Sequence, residues 1–357
     1  MSKVRFGELV KEVKNKIDRS NNPYEYYVAG DHMDSEDLQI HRKGRFATDD
    51  VGPAFIREFK KGQILYGSRR TYLKKVAVAD FNGVTANTTF VLETKDENRL
   101  LQSLIPFIML SEGFTKWSIS KSKGSTNPYI LFSDLENYEF NLPPLNEQKK
   151  LSDVLWAMDR VKNAYKNLIA KTDELVKSQF VEMFGTEESP KNNTRFIPLG
   201  QIASYINGFA FKPEDWGTSG LPIIRIQNLT GTNSDYNYYS GEYPSQVEIN
   251  DGDVLISWSA SLGVYVWNRG KAILNQHIFK VVFDKKPILK NYFIYAVSQK
   301  LDALISQTHG STMKHIVKSK FDKTPIAYPT EALQCEFAAF IEKLDKSKFT
   351  LKGNVKF

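Results

Sequence analysis

The sequence predicts an α+β chain: two strand-rich globular domains in tandem, separated by long helices that form an antiparallel coiled coil whose second member is short. Three observations predict it. The chain has 357 residues, more than the roughly 250 that one hydrophobic core serves. Residues 124–159 align without a gap on 310–345. Between those copies, from Leu151 to Leu175, apolar or permissive residues recur in alternating steps of three and four, which is the seam of a coiled coil.

The elements follow in order. Residues 1–143 read as the first domain, with KGQILYGS (61–68) and TANTTFVLE (85–93) as strands rich in β-branched and aromatic residues. Residues 144–190 read as a spacer helix, entered through Pro144, Asn146 and Glu147 and left at Gly185 and Pro190. Forty helical residues extend about 60 Å at 1.5 Å per residue. Its seam is Leu151, Val154, Met158, Val161, Tyr165, Leu168, Thr172 and Leu175, flanked by Lys150, Lys162, Lys166, Lys171 and Lys177. A stripe this narrow on a charged surface favours helix pairing over burial in a bundle. Residues 191–330 repeat the first domain, with DGDVLISW (251–258) answering KGQILYGS and ILNQHIFKV (273–281) answering TANTTFVLE. Residues 331–357 begin a second helix through Phe337, Phe340, Ile341 and Leu344, shorter than the first. The distal seam around Leu168, Thr172 and Leu175 therefore has no obvious partner within the chain, and a partner subunit is expected to cover it.

The identities between the copies are Gly124/Gly310, Ser125/Ser311, Thr126/Thr312, Ile130/Ile316, Ser133/Ser319, Pro143/Pro329, Gln148/Gln334 and Asp159/Asp345. Their order carries the argument. Each copy runs from a Gly-Ser-Thr turn through a short strand to a proline and then into a helix.

Composition bounds the function. Apolar residues make up 41% and charged residues 25%, as in globular proteins, and no apolar run reaches the roughly 20 residues that cross a bilayer. The N-terminus intersperses Lys and Glu among apolar residues and lacks the pattern of a secretion signal. A soluble, cytoplasmic protein is expected. The single Cys335 can form no internal disulfide, in keeping with a reducing compartment. Net charge is +7, with 21 basic against 19 acidic residues over 1–145, 7 against 8 over 146–190 and 20 against 14 over 191–357. The basic ends favour a polyanionic partner.

Catalytic motifs do not assemble. GxxxxGK[ST] and GxGxxG are absent, and Lys271 after Gly270 lacks the upstream glycine. His32, His41, His277, His309 and His315 show no close ligand spacing. NNPY (21–24), TNPY (126–129) and LPPL (142–145) each fall short of the Asn/Asp-Pro-Pro-Tyr loop of adenine methyltransferases and read as turns. Glu214 and Asp215 lack the companion Glu-x-Lys of a nuclease centre.

Basic residues beside small polar ones are the stronger signal. The first domain offers Arg69, Arg70, Lys74 and Lys75 after a strand, with Lys121 and Lys123 beside Ser125 and Thr126; the second offers Arg269 and Lys271, with Lys314 and Lys318 beside Ser311 and Thr312. Phosphates are gripped by Lys or Arg with hydroxyls and turn amides, and base edges are read by Arg, Asn and Gln. Each such residue could instead be solvated surface, and each hydroxyl a turn cap. Their recurrence at one relative position in both copies favours DNA contact.

The layout resembles the specificity subunit of type I restriction-modification systems. The residues that carry the resemblance are GST (124–126), PPLNEQ (143–148) and SQFVEMFG (178–185), then GSTMKHI (310–316), YPTEALQ (328–334) and FIEKLDKSKF (340–349). It implies that each globular half is a target recognition domain reading one part of a split double-stranded DNA site, with the helices as an antiparallel spacer. It implies two modification subunits docked on those helices and restriction (motor-nuclease) subunits that join them. S-adenosylmethionine, ATP and Mg are then expected in the partner subunits only, with no cofactor and no catalytic residue in this chain. The short second helix departs from the family pattern. Competing readings are a stand-alone two-domain DNA or RNA binder, disfavoured by the uncovered seam; a methyltransferase or nuclease in its own right, which labelled S-adenosylmethionine and DNA would reveal; and a structural coiled-coil linker, disfavoured because helices occupy a minority of the chain.

Overall fold

The structure is a computed structural model, and it describes residues 2–306 and 316–353. The chain divides into two compact units, Met1–Ala164 and Tyr165–Phe357.

Unit 1 opens and closes on one ladder, Ser2–Arg5 paired antiparallel with Glu139–Leu142. Between these strands lie two four-stranded sheets. The first runs in the order Val10–Glu12, Thr89–Thr94, Ile64–Gly67, Val76–Val78, antiparallel throughout. The second runs Gly44–Arg45, Tyr26–Val28, Gly83–Ala86, Phe55–Phe59, with its central pair parallel. Alternating side chains of the first sheet go to different cores, as a two-residue period requires. Ile64, Tyr66, Phe90 and Leu92 join Phe6, Leu104 and Phe114 on one face, while Leu65, Ala77 and Val91 join Val28 and Phe59 on the other. Burial on both faces explains why these strands read as nearly continuous apolar runs.

Unit 2 repeats this plan. Arg195–Pro198 pairs antiparallel with Pro325–Tyr328. One sheet runs Ser204–Asn207, Ile278–Val282, Val254–Ser257, Gly263–Val266, and the other Asn237–Tyr239, Leu221–Ile224, Ala272–Leu274, Glu248–Ile249, again with a parallel central pair. The repeat is also legible in the turn that leads each central strand. Gly62 (φ 88°) and Gly252 (φ 89°) supply the left-handed residue, and the residue after each closes the turn, Gln63 N on Lys60 O and Asp253 N on Asn250 O, both at 3.1 Å. The same two side chains cap the turn, Gln63 Oε1 accepting from Lys60 N and Asp253 Oδ2 from Asn250 N, both at 2.8 Å. Only glycine takes this conformation without cost in a turn of this type.

A long helix, Leu145–Phe184, and a final helix, Glu331–Gly353, follow the two outer ladders. A buried glutamine fixes each start. Gln148 accepts from Leu101 N (3.1 Å) and donates to the carbonyls of Arg99 and Pro143 (both 2.9 Å). Gln334 accepts from Leu289 N (2.9 Å) and donates to Pro329 O (3.0 Å). The shared glutamine of the two copies is thus a clamp tying a helix to its unit, since buried amides need all these partners.

Past that clamp the helices differ. In unit 1 the long helix turns Gln148, Ser152, Asp159 and Asn163 inward, with Trp156 stacked edge-on to Phe107 at 5.2 Å and donating to Ser103 O at 2.9 Å. The heptad seam faces away: Leu151, Val154, Met158, Val161, Leu168 and Leu175 are all exposed, Val154 at 57%, and Tyr165 and Thr172 are half-buried. In unit 2 the end of the long helix meets the final helix, Phe180 and Phe184 lying 5.3 and 5.4 Å from Phe337. Within unit 2 the final helix places its own apolar residues Phe337, Phe340, Ile341 and Leu344 in one cluster with Val176, Phe180 and Phe184.

Candidate nucleic-acid interface

In unit 1 the fold gathers the basic cluster from two distant segments. The loop after Ile64–Gly67 is held to the hairpin 122–130 by Ile130 N on Ser68 O (2.9 Å), Arg70 N on Pro128 O (2.6 Å) and Thr71 Oγ1 with Ser122 Oγ (3.2 Å). That hairpin closes between Lys123 and Tyr129, and Gly124 turns it with φ 86°. Arg69, Arg70, Lys121, Lys123, Ser125 and Thr126 are all exposed along this edge. Among the described residues Arg69 and Arg70 form no ion pair, Lys121 lies over the Trp117 ring at 4.8 Å, and Lys123 pairs with Asp134 at 3.3 Å.

Lys74 and Lys75 serve the fold instead. Lys74 pairs with Glu36 and Lys75 donates to the Gly30 carbonyl, so both tie the 30–36 segment to the loop. Long flexible side chains spent on internal partners are poorly placed for phosphate.

In unit 2 the expected equivalence fails. The counterpart of the Ser68 loop is 258–262: Ile316 N donates to Trp258 O (3.1 Å) as Ile130 N does to Ser68 O, and Trp258 N meets His277 O (3.3 Å) as Ser68 N meets Thr88 O (3.0 Å). Arg70 and Ala260 are the left-handed residues of the two loops, at φ 51° and 56°. The positions of Arg69 and Arg70 are therefore held by Ser259 and Ala260, which carry no charge. Arg269 and Lys271 sit on another turn, between Gly263–Val266 and Ala272–Leu274, where Gly252 N pairs with Trp267 O just as Gly62 N pairs with Ala79 O. Both are engaged there. Arg269 donates to Asn228 O (3.3 Å) and Tyr236 Oη (2.8 Å), and Lys271 pairs with Glu248 at 2.9 Å. The hydrogen bond with Lys271 holds the Glu248 carboxyl below its usual range and raises Lys271 in turn. Lys318 is exposed and paired with Asp322 at 2.8 Å. Ser311, Thr312 and Lys314 lie outside the described residues.

Two residues on these edges escaped the sequence reading. Tyr72 stands on the unit 1 loop, 53% exposed. Trp258 anchors the unit 2 loop, stacked on Phe279 at 5.6 Å with its indole nitrogen on Asn207 Oδ1 at 3.2 Å. An aromatic inside a basic loop, as in RRTYLKK, was the available signal for the first. NNPY proves to be an Asx turn, Asn22 Oδ1 accepting from Tyr24 N at 3.0 Å. No helix of the described residues is long and apolar enough to cross a membrane.

Comparison with known proteins agrees with this duplicated architecture. The model of the type I restriction modification DNA specificity domain matches twice, over residues 3–175 and 191–356. The chain is 29% identical over 151 residues to the Escherichia coli type I restriction enzyme EcoBI specificity subunit, covering 42% of this chain and 31% of that one. It is 25% identical over 185 residues to the E. coli EcoDI specificity subunit, 51% of this chain and 40% of that one. It is 22% identical over 329 residues to the MjaVIII specificity subunit of Methanocaldococcus jannaschii, 82% and 73% of the two chains. The alignments thus span less than half of the two E. coli relatives. Among solved structures, the type I restriction-modification S subunit of M. genitalium superposes with a TM-score of 0.53 at 15% identity, over 99% of this chain and 91% of that one. A chain from a structure on complex assembly and conformational transition of the type I R-M system gives 0.51 at 20% identity, over 99% and 92%. With both halves matched by the same domain model and the same strand order in each, the chain belongs to the type I restriction modification DNA specificity domain family.

Proposed function

We propose that this chain is the DNA-specificity subunit of a type I restriction-modification complex, in which the domains at 1–143 and 191–330 each read one part of a split double-stranded target and the helices at 144–190 and 331–357 set their spacing. One observation carries the reading: the whole unit, with both sheets, the outer ladder and the glutamine clamp, is present twice. A single chain with two related readers suits a bipartite asymmetric site as a dimer suits a palindrome. The apolar seam of the long helix favours modification subunits as its cover, since exposed apolar patches rimmed by charge mark protein interfaces. Methyl transfer and cleavage, with S-adenosylmethionine, ATP and Mg, belong in this reading to the modification and restriction subunits. On the unit 1 edge, Arg69, Arg70, Lys121, Ser125 and Thr126 are the residues offered to DNA.

Mapping methylated bases across the genome of the host tests the proposal. The expected result is one bipartite motif with a fixed gap, and the Arg69→Ala, Arg70→Ala double variant degrades one half of it. Methylation by the purified chain alone, or the absence of any bipartite motif, overturns it.

A further inference from the structure

Resting on that reading, we infer that Tyr72 is a specificity-determining residue of unit 1, an aromatic probe set against one base step of its half-site. The loop connecting Ile64–Gly67 to Val76–Val78 holds eight residues, 68–75, where the loop connecting Val254–Ser257 to Gly263–Val266 in unit 2 holds five, 258–262. The longer loop contains a single 3-10 turn, Thr71–Leu73, bracketed by two left-handed non-glycine residues, Arg70 (φ 51°, ψ 56°) and Lys74 (φ 47°, ψ 47°). Side chains disfavour that conformation, and such strain persists only where the surroundings enforce it.

Here they enforce it from both sides. Arg70 N is bound to Pro128 O at 2.6 Å, and Leu73 N and Lys74 N close the turn on Arg70 O and Thr71 O at 2.8 and 2.9 Å. Thr71 is buried with its hydroxyl on Ser122, and Lys74 is fixed by its ion pair to Glu36 and by Glu36 N on its carbonyl at 3.2 Å. Everything around Tyr72 is tied down, yet its own ring is left out: among the described residues it makes no ring contact, and its hydroxyl has no hydrogen-bond partner. Lys74 and the backbone ties serve the fold, but an unpartnered aromatic projected beside two guanidinium groups that form no ion pair among the described residues does not. It fits a nucleic acid. The guanidinium groups suit phosphate or a guanine edge, and the ring offers a face for a base or an apolar contact for a thymine methyl. Unit 2 has no counterpart, since its five-residue loop carries no 3-10 turn and tucks Trp258 against Phe279.

The test places Tyr72→Ala and Tyr72→Phe at the native locus of the host and maps methylated bases. Wild type serves as the control for the function itself: without a bipartite motif there, the specificity reading fails before this one is reached. Given that motif, Tyr72→Ala is expected to relax one or two base positions in a single half-site by tenfold or more in relative occupancy, with Tyr72→Phe close to wild type and thermal unfolding of both unchanged. A motif unaltered by Tyr72→Ala overturns the inference. So does uniform loss of methylation at both halves, which would mark Tyr72 as a general contact.

Discussion

Phe337 and Leu151 hold the same place in the two copies of the helix start, and their surroundings are opposite. Phe337 is fully buried, ringed by Phe180, Phe184, Tyr292 and Tyr295 within 6.1 Å, while Leu151 is 44% exposed. The edge loops differ too: from a shared start, with Ser68 and Trp258 in the same hydrogen-bond frame, unit 1 runs on through two arginines and a tyrosine in a longer loop, and unit 2 through a serine and an alanine in a shorter one whose tryptophan is docked. The repeat preserves what positions the backbone and varies what faces outward. If the two units read two different sequences, as proposed, that division is what reading them requires, because shape must be shared while chemistry must not.

The largest expected effect tests the helices. Phe337→Ala is expected to destabilise unit 2 by about 4 kcal/mol, as large buried aromatics do when truncated, whereas Leu151→Ala in the isolated chain stays within about 0.5 kcal/mol. Denaturant unfolding of both variants measures the contrast. A large loss for Leu151→Ala would show that the seam is covered without any partner.

The edge loops come next. If unit 1 holds phosphates with Arg69 and Arg70, the double alanine variant lowers the salt slope of binding to duplex DNA by roughly two and weakens affinity by about tenfold to a hundredfold near physiological salt. Arg269→Ala with Lys271→Ala is expected to change the slope by less than about one, because Arg269 is spent on Asn228 and Tyr236 and Lys271 on Glu248. Equal slopes from the two pairs, measured by titration at several salt concentrations, would erase the proposed asymmetry.

The pattern of what the sequence disclosed follows from the same division. Gly62 and Gly252, Pro143 and Pro329, and Gln148 and Gln334 could be aligned because each answers a backbone demand: a left-handed turn, a helix entry, a buried carbonyl and amide to satisfy. The long helix and its seam were legible because a 3.5-residue period is a local property. The basic residues were a poorer guide. Lys74 and Lys75 look like Arg69 and Arg70 in a string of letters, and only the packing of the 30–36 segment shows that they are internally engaged. Arg269 and Lys271 were matched to the unit 1 cluster by kind of residue, whereas the hydrogen-bond frame matches that cluster to Ser259 and Ala260. Tyr72 was missed because neither strain nor exposure is written in composition.

The smallest effect separates fold from function most cleanly. Arg70 and Ala260 share a left-handed backbone that costs a side chain about 1 kcal/mol and glycine almost none. The greater freedom of glycine in the unfolded chain offsets part of this, so Arg70→Gly and Ala260→Gly should each stabilise the protein by about 0.5 kcal/mol, read as a small rise in the unfolding midpoint. Stability gained at a strained site is often activity lost. On the proposed reading that trade-off should appear in unit 1 alone, since Arg70→Gly removes a guanidinium that the proposal offers to DNA and Ala260→Gly removes one methyl group. A gain in stability at both positions, with weakened DNA binding only at Arg70, is what a shared backbone with divided chemistry predicts. Equal loss of binding at both would mean that the unit 2 loop also presses its backbone against the nucleic acid.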